Sequence, residues 1–176
     1  MVDGILKKDY DGSAALWKNK QREEIMLYSV PYMYNQIILV GREGADVSAD
    51  DITDLSGKRI GVVADYAYGD LMTRSAIGEE AESNGAVFFA GASDQENLEA
   101  LLKGELDYLL VDALLVEYAK NQQEAELNAK LDFGTNVLLK RSLHFAVRKD
   151  LPRAAEIIEG FNREIKAMYK DGSYSR

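Results

Sequence analysis

Cysteine is absent from the 176 residues, and histidine occurs once. The first absence excludes disulfides, thiolate catalysis and cysteine-based zinc or iron–sulfur centres. The second leaves His144, in "RSLHFAVRKD", as the only imidazole. The alternation around it reads as a strand, so a packed structural histidine is expected. A catalytic one would need an orienting partner that the sequence does not place. No apolar run approaches the ~18 residues of a membrane-spanning helix. The opening "MVDGILKKDYDG" carries no apolar signal-peptide core, as expected of a cytosolic chain or of a processed or truncated form of an exported one. Basic charge is also short. There are 21 Lys and Arg against 30 Asp and Glu, a net charge of −9, with the acids spread along the chain. Nucleic acids and anionic membrane surfaces need a basic face, so neither is an expected partner.

What is present is a core. Hydrophobic residues make up 47% of the chain, enough for one domain or two small lobes. "YDGSAALW" (residues 10–17) reads as a buried strand. "MLYSVPYMYNQIILV" is extended, since Pro31 forbids a helix interior and aromatic and β-branched residues dominate. Asp50, Asp51 and Asp54 lack the glycine and terminal glutamate of a calcium loop. They mark instead a short capped helix start near Ser48 or Asp50. "KRIGVV" (58–63) is a strand, and "ADYAYGD" turns into a helical stretch ending near "ESNG", with Gly85 as C-cap. "AVFFA" is the next strand. In "SDQENLEALLKG", Ser93 and Glu96 form a capping box and Leu98, Leu101 and Leu102 share one face. "ELDYLLV" (105–111) is a strand and "ALLVEYAKNQQ" a helix. "TNVLLKRSLHFAVRK" supplies one or two strands. A last amphipathic helix, with Asp150 as N-cap, lines up Ile157, Ile158, Phe161, Ile165 and Met168. Strand and helix alternate from Lys58 to Gln122, an α/β pattern with a mostly parallel sheet.

Ligands of such sheets bind beyond the carboxyl ends of the strands. Two positions qualify. The turn after "KRIGVV", from Ala64 to Gly69, offers backbone N–H groups and a helix start suited to an anion. Asp112, directly after "LDYLLV", either caps the following helix or faces a cationic group. Arg22 is a third candidate. Within the polar "KNKQREE" it reads as a solvated arginine, while its fork is also the usual bidentate partner of a carboxylate. Trp17 is core or a stacking platform.

Five stretches in order carry a resemblance: "NKQREEIMLYSVPYMYNQIILV", "DITDLSGKRIGVV", "LEALLKGELDYLLVD", "LHFAVRKD" and "FNREIKAMYKDGSY". Together they resemble the family 3 extracellular solute-binding proteins, the amino-acid-binding components of ABC importers. The family pattern runs Thr-x-x-Arg, Phe-Ser-x-Pro-Tyr, Asp-Leu-x-Gly-Lys-x-(Val/Ile)-Gly-Val, a Leu-x-x-Gly-x-(Leu/Val)-Asp strand ending in Asp, an "avrK" strand and a closing helix. The resemblance implies a two-lobed periplasmic-binding-protein-like α/β fold of type II. Lobe 1 would hold residues 1–40, lobe 2 residues 41–140, and residues 141–176 would return to lobe 1. It also implies that lobe 1 is incomplete, because "VDGILKKDYDG" resembles the end of the family's second helix and the start of its third strand.

By the same resemblance Arg22 holds a ligand's α-carboxylate and Asp112 its α-amino group. Ala15 and Trp17 lie beside the ligand in lobe 1. Val63, Tyr66, Ala67 and Tyr68 form the lobe 2 turn that completes the carboxylate clamp. The family's Thr-x-x-Arg is Asn19-Lys20-Gln21-Arg22 here, and the usual Gly-Thr of the turn is Asp65-Tyr66. Aromatics largely replace hydroxyls, which argues against a plain polar amino acid and permits a bulkier or more apolar ligand. No cofactor and no metal are implied, and no bond is made or broken. The implied partners are an amino acid or related small carboxylate, an ABC permease, and a second copy of the chain through the incomplete lobe 1. The implied location is periplasmic or extracellular. A sensory domain of a receptor is an alternative, and a cyclohexadienyl-dehydratase-like enzyme a weaker one, since no acid–base group is placed at the ligand.

Overall fold

The structure, a computed structural model, describes residues 2–64, 66, 68, 80–83, 85–121 and 129–175. Its contacts divide the chain into two compact units, residues 1–34 with 142–176, and residues 35–141.

In the first unit, β9 (Leu139–Arg148) is flanked by β1 (Gly12–Trp17) and β2 (Met26–Tyr28), both antiparallel to it. Neighbouring residues of a strand face opposite sides, and β9 uses this to build two cores. Ala146 packs with Ile5 of α1 (Val2–Leu6), Leu16 and Met26. Val147 packs with Ala154 and Ile158 of α5 (Ala154–Asp171). Phe145, on the Val147 side, stacks on Phe161 with ring centroids 4.8 Å apart. The expected apolar face of α5 is therefore real at Ile158, Phe161 and Ile165, whereas Ile157 and Met168 are each 38% exposed.

Asp150 does not cap α5. The cap position is Arg153, in the left-handed region at φ 62°, with no side-chain cap bond. Asp150 is drawn away by two cations, Lys8 and Arg148, each 2.7 Å distant. Exposed ion pairs are weak singly, but two against one neutral cap bond are enough to redirect a surface carboxylate.

In the second unit three strands are parallel: β7 (Tyr108–Asp112), β4 (Arg59–Val63) and β6 (Ala86–Gly91), side by side in that order. The remaining pairings are antiparallel. β3 (Met33–Arg42) lies between β7 and β8 (Leu131–Phe133), and β5 (Glu80–Ser83) borders β6. Parallel pairing is thus confined to the middle of the sheet, and β8 is a strand that the sequence pattern does not announce.

The expected helix toward "ESNG" meets a different outcome. Residues 69–79 lie outside the described residues, and Glu80–Ser83 is strand, with Ser83 paired to Ala86. Gly85, at φ +78°, serves a hairpin turn and not a helix end. The sequence "SNGA" holds an Asn-Gly hairpin signal that the helix-forming alanines and glutamates around it mask. The short 3-10 turn Ile52–Leu55 is capped by Asp51, in a capping box with Asp54, and not by Ser48 or Asp50.

α3 (Asp94–Leu102) crosses from β6 to β7, and Ser93 accepts the Glu96 N–H at 3.2 Å, one half of the expected capping box, while the Glu96 carboxylate takes the Ala92 N–H at 2.6 Å. Leu101 is buried, but Leu102 is 38% exposed and does not share its face with the core. Buried Asn97 joins α3 to β4 by donating to the Val62 carbonyl at 2.8 Å. Arg42 joins β3 to the other end of α3, donating to the carbonyls of Leu101 (2.7 Å) and Leu106 (2.5 Å). "ELD" before β7 is turn, not strand. There Asp107 takes the Arg59 backbone N–H at 2.8 Å and its guanidinium at 2.9 Å. Ile38, Val40, Leu101, Leu106, Leu109, Val116 and Leu131 form the core. Among the described residues no helix is long and apolar enough to cross a membrane.

Candidate functional site

The first unit gathers Arg22, Trp17 and Ala15. Arg22 sits on α2 (Lys20–Ile25), a short helix held by Asn19, whose side chain accepts the Arg22 N–H at 2.8 Å. The asparagine that stands for the family's threonine therefore works as an N-cap. The Arg22 guanidinium donates to the Trp17 carbonyl at 3.0 Å, which ties it to the end of β1. Trp17 is half-buried and pairs with Leu143 on β9. Ala15 is exposed, in the irregular stretch of β1 between Ser13 and Leu16, where its carbonyl accepts the Ser13 hydroxyl at 3.1 Å.

His144 is buried with both ring nitrogens engaged, Nδ1 against the Ser29 carbonyl at 2.8 Å and Nε2 against the Ser142 hydroxyl at 2.9 Å. The first of these bonds ties β9 to the chain just after β2. Tyr28 meets the imidazole edge-on, with ring centroids 5.8 Å apart. Burial pushes the Tyr28 hydroxyl up to about 12, against the pull of Arg22 and with a push from Glu23. That buried hydroxyl has no hydrogen-bond partner among the described residues.

The second unit gathers Val63, Tyr66, Tyr68 and Asp112 at the carboxyl ends of its parallel strands; Ala67 lies outside the described residues. Asp112 is the last residue of β7, opposite Ile37 of β3. Two neutral donors hold its carboxylate. The Leu114 N–H, in the first turn of α4 (Ala113–Asn121), reaches Oδ1 at 3.0 Å, and the Asn35 amide reaches Oδ2. Asp112 therefore caps α4.

In the turn after β4, the described residues Val63, Ala64, Tyr66 and Tyr68 donate their N–H groups within the unit, and Asp65, Ala67 and Gly69 lie outside the described residues. Val63 N–H bonds the Tyr68 hydroxyl at 3.1 Å, and Ala64 N–H the Gly91 carbonyl at 2.8 Å. Tyr66 N–H bonds Val63 at 3.3 Å, and Tyr68 N–H bonds Tyr66 at 3.1 Å. Tyr68 is buried at 2% exposure while the neighbouring Tyr66 ring, 6.0 Å away between centroids, is 46% exposed.

Sequence reasoning missed one residue here. Asp94, the first residue of α3, lies just beyond β6 on the same edge. Burial raises its carboxyl above the usual range, and the Asp112 charge adds to the rise, while its own backbone N–H draws it down. Tyr66 is raised by burial, then by Asp94 and Asp112. Tyr68 is raised by burial, lowered by its Val63 bond, and raised further by Asp94 and Tyr66. The only signal of Asp94 in the sequence is its place after the N-cap Ser93, which reads as ordinary helix chemistry. Among the described residues no group of three or more His, Asp or Glu is placed to hold a metal.

No family model matches the sequence, and no curated protein matches it. Solved structures do match. An arginine third-transport-system periplasmic binding protein from Legionella pneumophila aligns over 99% of this chain and 74% of its own, at TM-score 0.76 and 20% identity. The GluR0 ligand-binding core from Nostoc punctiforme, in complex with L-glutamate, aligns over 99% and 74%, at TM-score 0.69 and 19% identity. The periplasmic VFT2 domain of Bordetella pertussis BvgS aligns over 96% and 65%, at TM-score 0.70 and 21% identity. The likeness is one of fold, and the α/β fold is that of the type II periplasmic binding proteins.

Proposed function

We propose that this chain is a solute-binding protein that captures an amino acid or related small carboxylate, without making or breaking a bond, and delivers it to an ABC permease. In this reading Arg22 takes the ligand's carboxylate and Asp112 its ammonium, with Trp17 and Ala15 beside the ligand in the first unit and Val63, Tyr66, Ala67 and Tyr68 completing the carboxylate clamp from the second. Periplasmic or extracellular residence belongs to the same reading. The observation that carries it is Asp112: a carboxylate at the carboxyl end of a parallel strand, oriented by Asn35 and the Leu114 N–H. In a fold used by proteins named for arginine and glutamate, such an acid is suited to an α-ammonium group. A zwitterion that needs both side chains favours whatever arrangement of the chain satisfies both at once.

Titration calorimetry across the amino acids tests this. Arg22→Ala and Asp112→Asn should each weaken the best ligand by ~10-fold to 100-fold, the range for losing a charge-assisted hydrogen bond. Asparagine still caps α4, so the second change isolates charge from folding. Unchanged affinity in both variants would remove the site.

A sensing role is the second reading, favoured by the match to the BvgS domain. Genes for a permease and ATPase beside this one would support import, and a kinase gene would support sensing.

A further inference from the structure

β1 is irregular where it carries Ala15. Its register on β9 is broken between Ser13 and Leu16, and the ladder gives Ala14 and Ala15 no β9 partner. A break of this kind re-aims side chains, and backbone that has left the ladder needs other partners for its carbonyls. Two hydroxyls supply them. The Ser13 hydroxyl donates to the Ala15 carbonyl at 3.1 Å, and the Tyr32 hydroxyl donates to the Ala14 carbonyl at 2.7 Å. The first bond is local. The second comes from a residue that follows β2, the strand on the other side of β9.

Tyr32 is itself held at several atoms. Its N–H donates at 3.1 Å to the carbonyl of Leu143, the β9 residue opposite Trp17. Its ring meets Phe161 of α5 edge-on, with centroids 5.5 Å apart. Its carbonyl accepts two phenols, Tyr169 of α5 at 3.1 Å and Tyr174 of the 3-10 turn Ser173–Ser175. A carbonyl oxygen has two lone pairs, so both phenols can bond at once. The Tyr169 and Tyr174 rings lie 4.4 Å apart, which brings the two hydroxyls to one acceptor. Gly172, at φ +75°, ends α5 and makes the reversal that lets Tyr174 meet Tyr169. All of these residues belong to the first unit. A continuous run of hydrogen bonds thus joins the end of α5 to β1, and the Arg22 guanidinium meets the same strand at the Trp17 carbonyl.

We infer that Tyr32 is a positioning residue for the stretch of β1 that carries Ala15 and Trp17, and that Tyr169 and Tyr174 act on that stretch through it. The end of α5 and the turn after it then belong, at one remove, to the first unit's half of the site. The link to a ligand rests on the proposed function, whereas the coupling to β1 does not.

Hydrogen exchange on the ligand-free chain tests the coupling, with the emission of Trp17, the sole tryptophan, as a second reporter. Tyr32→Phe keeps the ring and every backbone bond and removes one hydroxyl. It should speed exchange in residues 14–17 by ~5-fold, the factor for one net hydrogen bond, while β2 and residues 154–165 of α5 stay within ~2-fold. The double variant Tyr169→Phe/Tyr174→Phe should speed the same β1 residues by ~3-fold or more and shift Trp17 emission in the same direction. Combined with Tyr32→Phe it should add less than ~1.5-fold at residues 14–17, because the three hydroxyls act in series. Unchanged exchange at 14–17 in Tyr32→Phe overturns the inference. So does equal speeding of β1, β2 and α5, which is a loss of global stability. No effect at 14–17 in the double variant, or a fully additive triple variant, overturns the part played by Tyr169 and Tyr174. Calorimetry separates this from the proposed function. Tyr32→Phe should weaken the tightest-binding amino acid of the calorimetric panel by ~3-fold or more. Full affinity beside faster exchange at 14–17 overturns the link of this stretch to a ligand. Failure of every amino acid to bind the wild-type chain removes the proposed function and leaves the exchange result standing.

Discussion

Single side chains here differ in whether their charge helps or harms the free protein. Asp107 is held below the usual carboxylate range, first by its bond to the Arg59 side chain, against some burial. A depressed carboxyl contributes stability that is present above its ordinary value and is lost as pH falls through the lowered one. Asp94 has the opposite sign. Its carboxyl is raised, so the folded chain is less stable above that range than below it. Urea midpoints should separate them. At pH 7 Asp107→Asn should lower the midpoint and Asp94→Asn should leave it equal or higher, and both differences should shrink at about pH 3, as both acids approach protonation. A drop for Asp94→Asn at pH 7 would show that its helix-start role outweighs repulsion from Asp112. Tyr28 is a simpler case. Its hydroxyl is buried without a partner among the described residues, so Tyr28→Phe removes a desolvated group and little packing. The expected gain is about 1 kcal/mol in chemical denaturation. A loss would mean that the hydroxyl is bonded through water.

Elements whose own pattern agrees with their packing were legible, and elements decided by a neighbour were not. Ser93 and Glu96 announce α3, and the strand runs of β4, β6 and β7 announce the parallel centre of the sheet. β5 is a strand because it borders β6, and α5 lost its expected cap because Lys8, far away in sequence, competes for Asp150. The site followed the same division. Asp112 stands out at a strand end and Arg22 only as an arginine in a polar stretch, and the family resemblance proposed roles for both. Asp94 looks like any acid in a first helical turn until the sheet order puts it next to Asp112. Gly12 shows how a pairing can dictate one residue. A side chain at Gly12 would put its Cβ 2.2 Å from the Ala146 carbonyl oxygen on β9, a backbone atom that cannot swing aside. Gly12→Ala should therefore destabilise by about 1–3 kcal/mol, the range for overpacking. Hydrogen exchange should place the loss at β1 and its β9 partners. A neutral result would mean that β1 is free to leave β9.

At the scale of the whole molecule, the proposed function draws on both units. The first holds Arg22, tied to the Trp17 carbonyl. The second holds Asp112 at the end of β7. The chain passes between the units twice, between residues 34 and 35 and again between 141 and 142. If one ligand draws on both sets of charges, it must stabilise both units, because a ligand that binds only the native form adds stability to every opening that destroys its site. At a concentration 100 times its dissociation constant the gain is ~2.7 kcal/mol. Native-state hydrogen exchange can read this unit by unit, using Ala146 and Val147 in the first and Ile60 and Val62 in the second, all buried strand residues. Saturating ligand should slow exchange in both groups by a similar factor, ~100-fold where global opening limits exchange. The same ligand added to Asp112→Asn should slow neither group to that extent. Protection gained only at Ile60 and Val62 would mean that the second unit holds the ligand by itself. Arg22 would then be a structural tie to β1, and the proposed carboxylate role of Arg22 would fall.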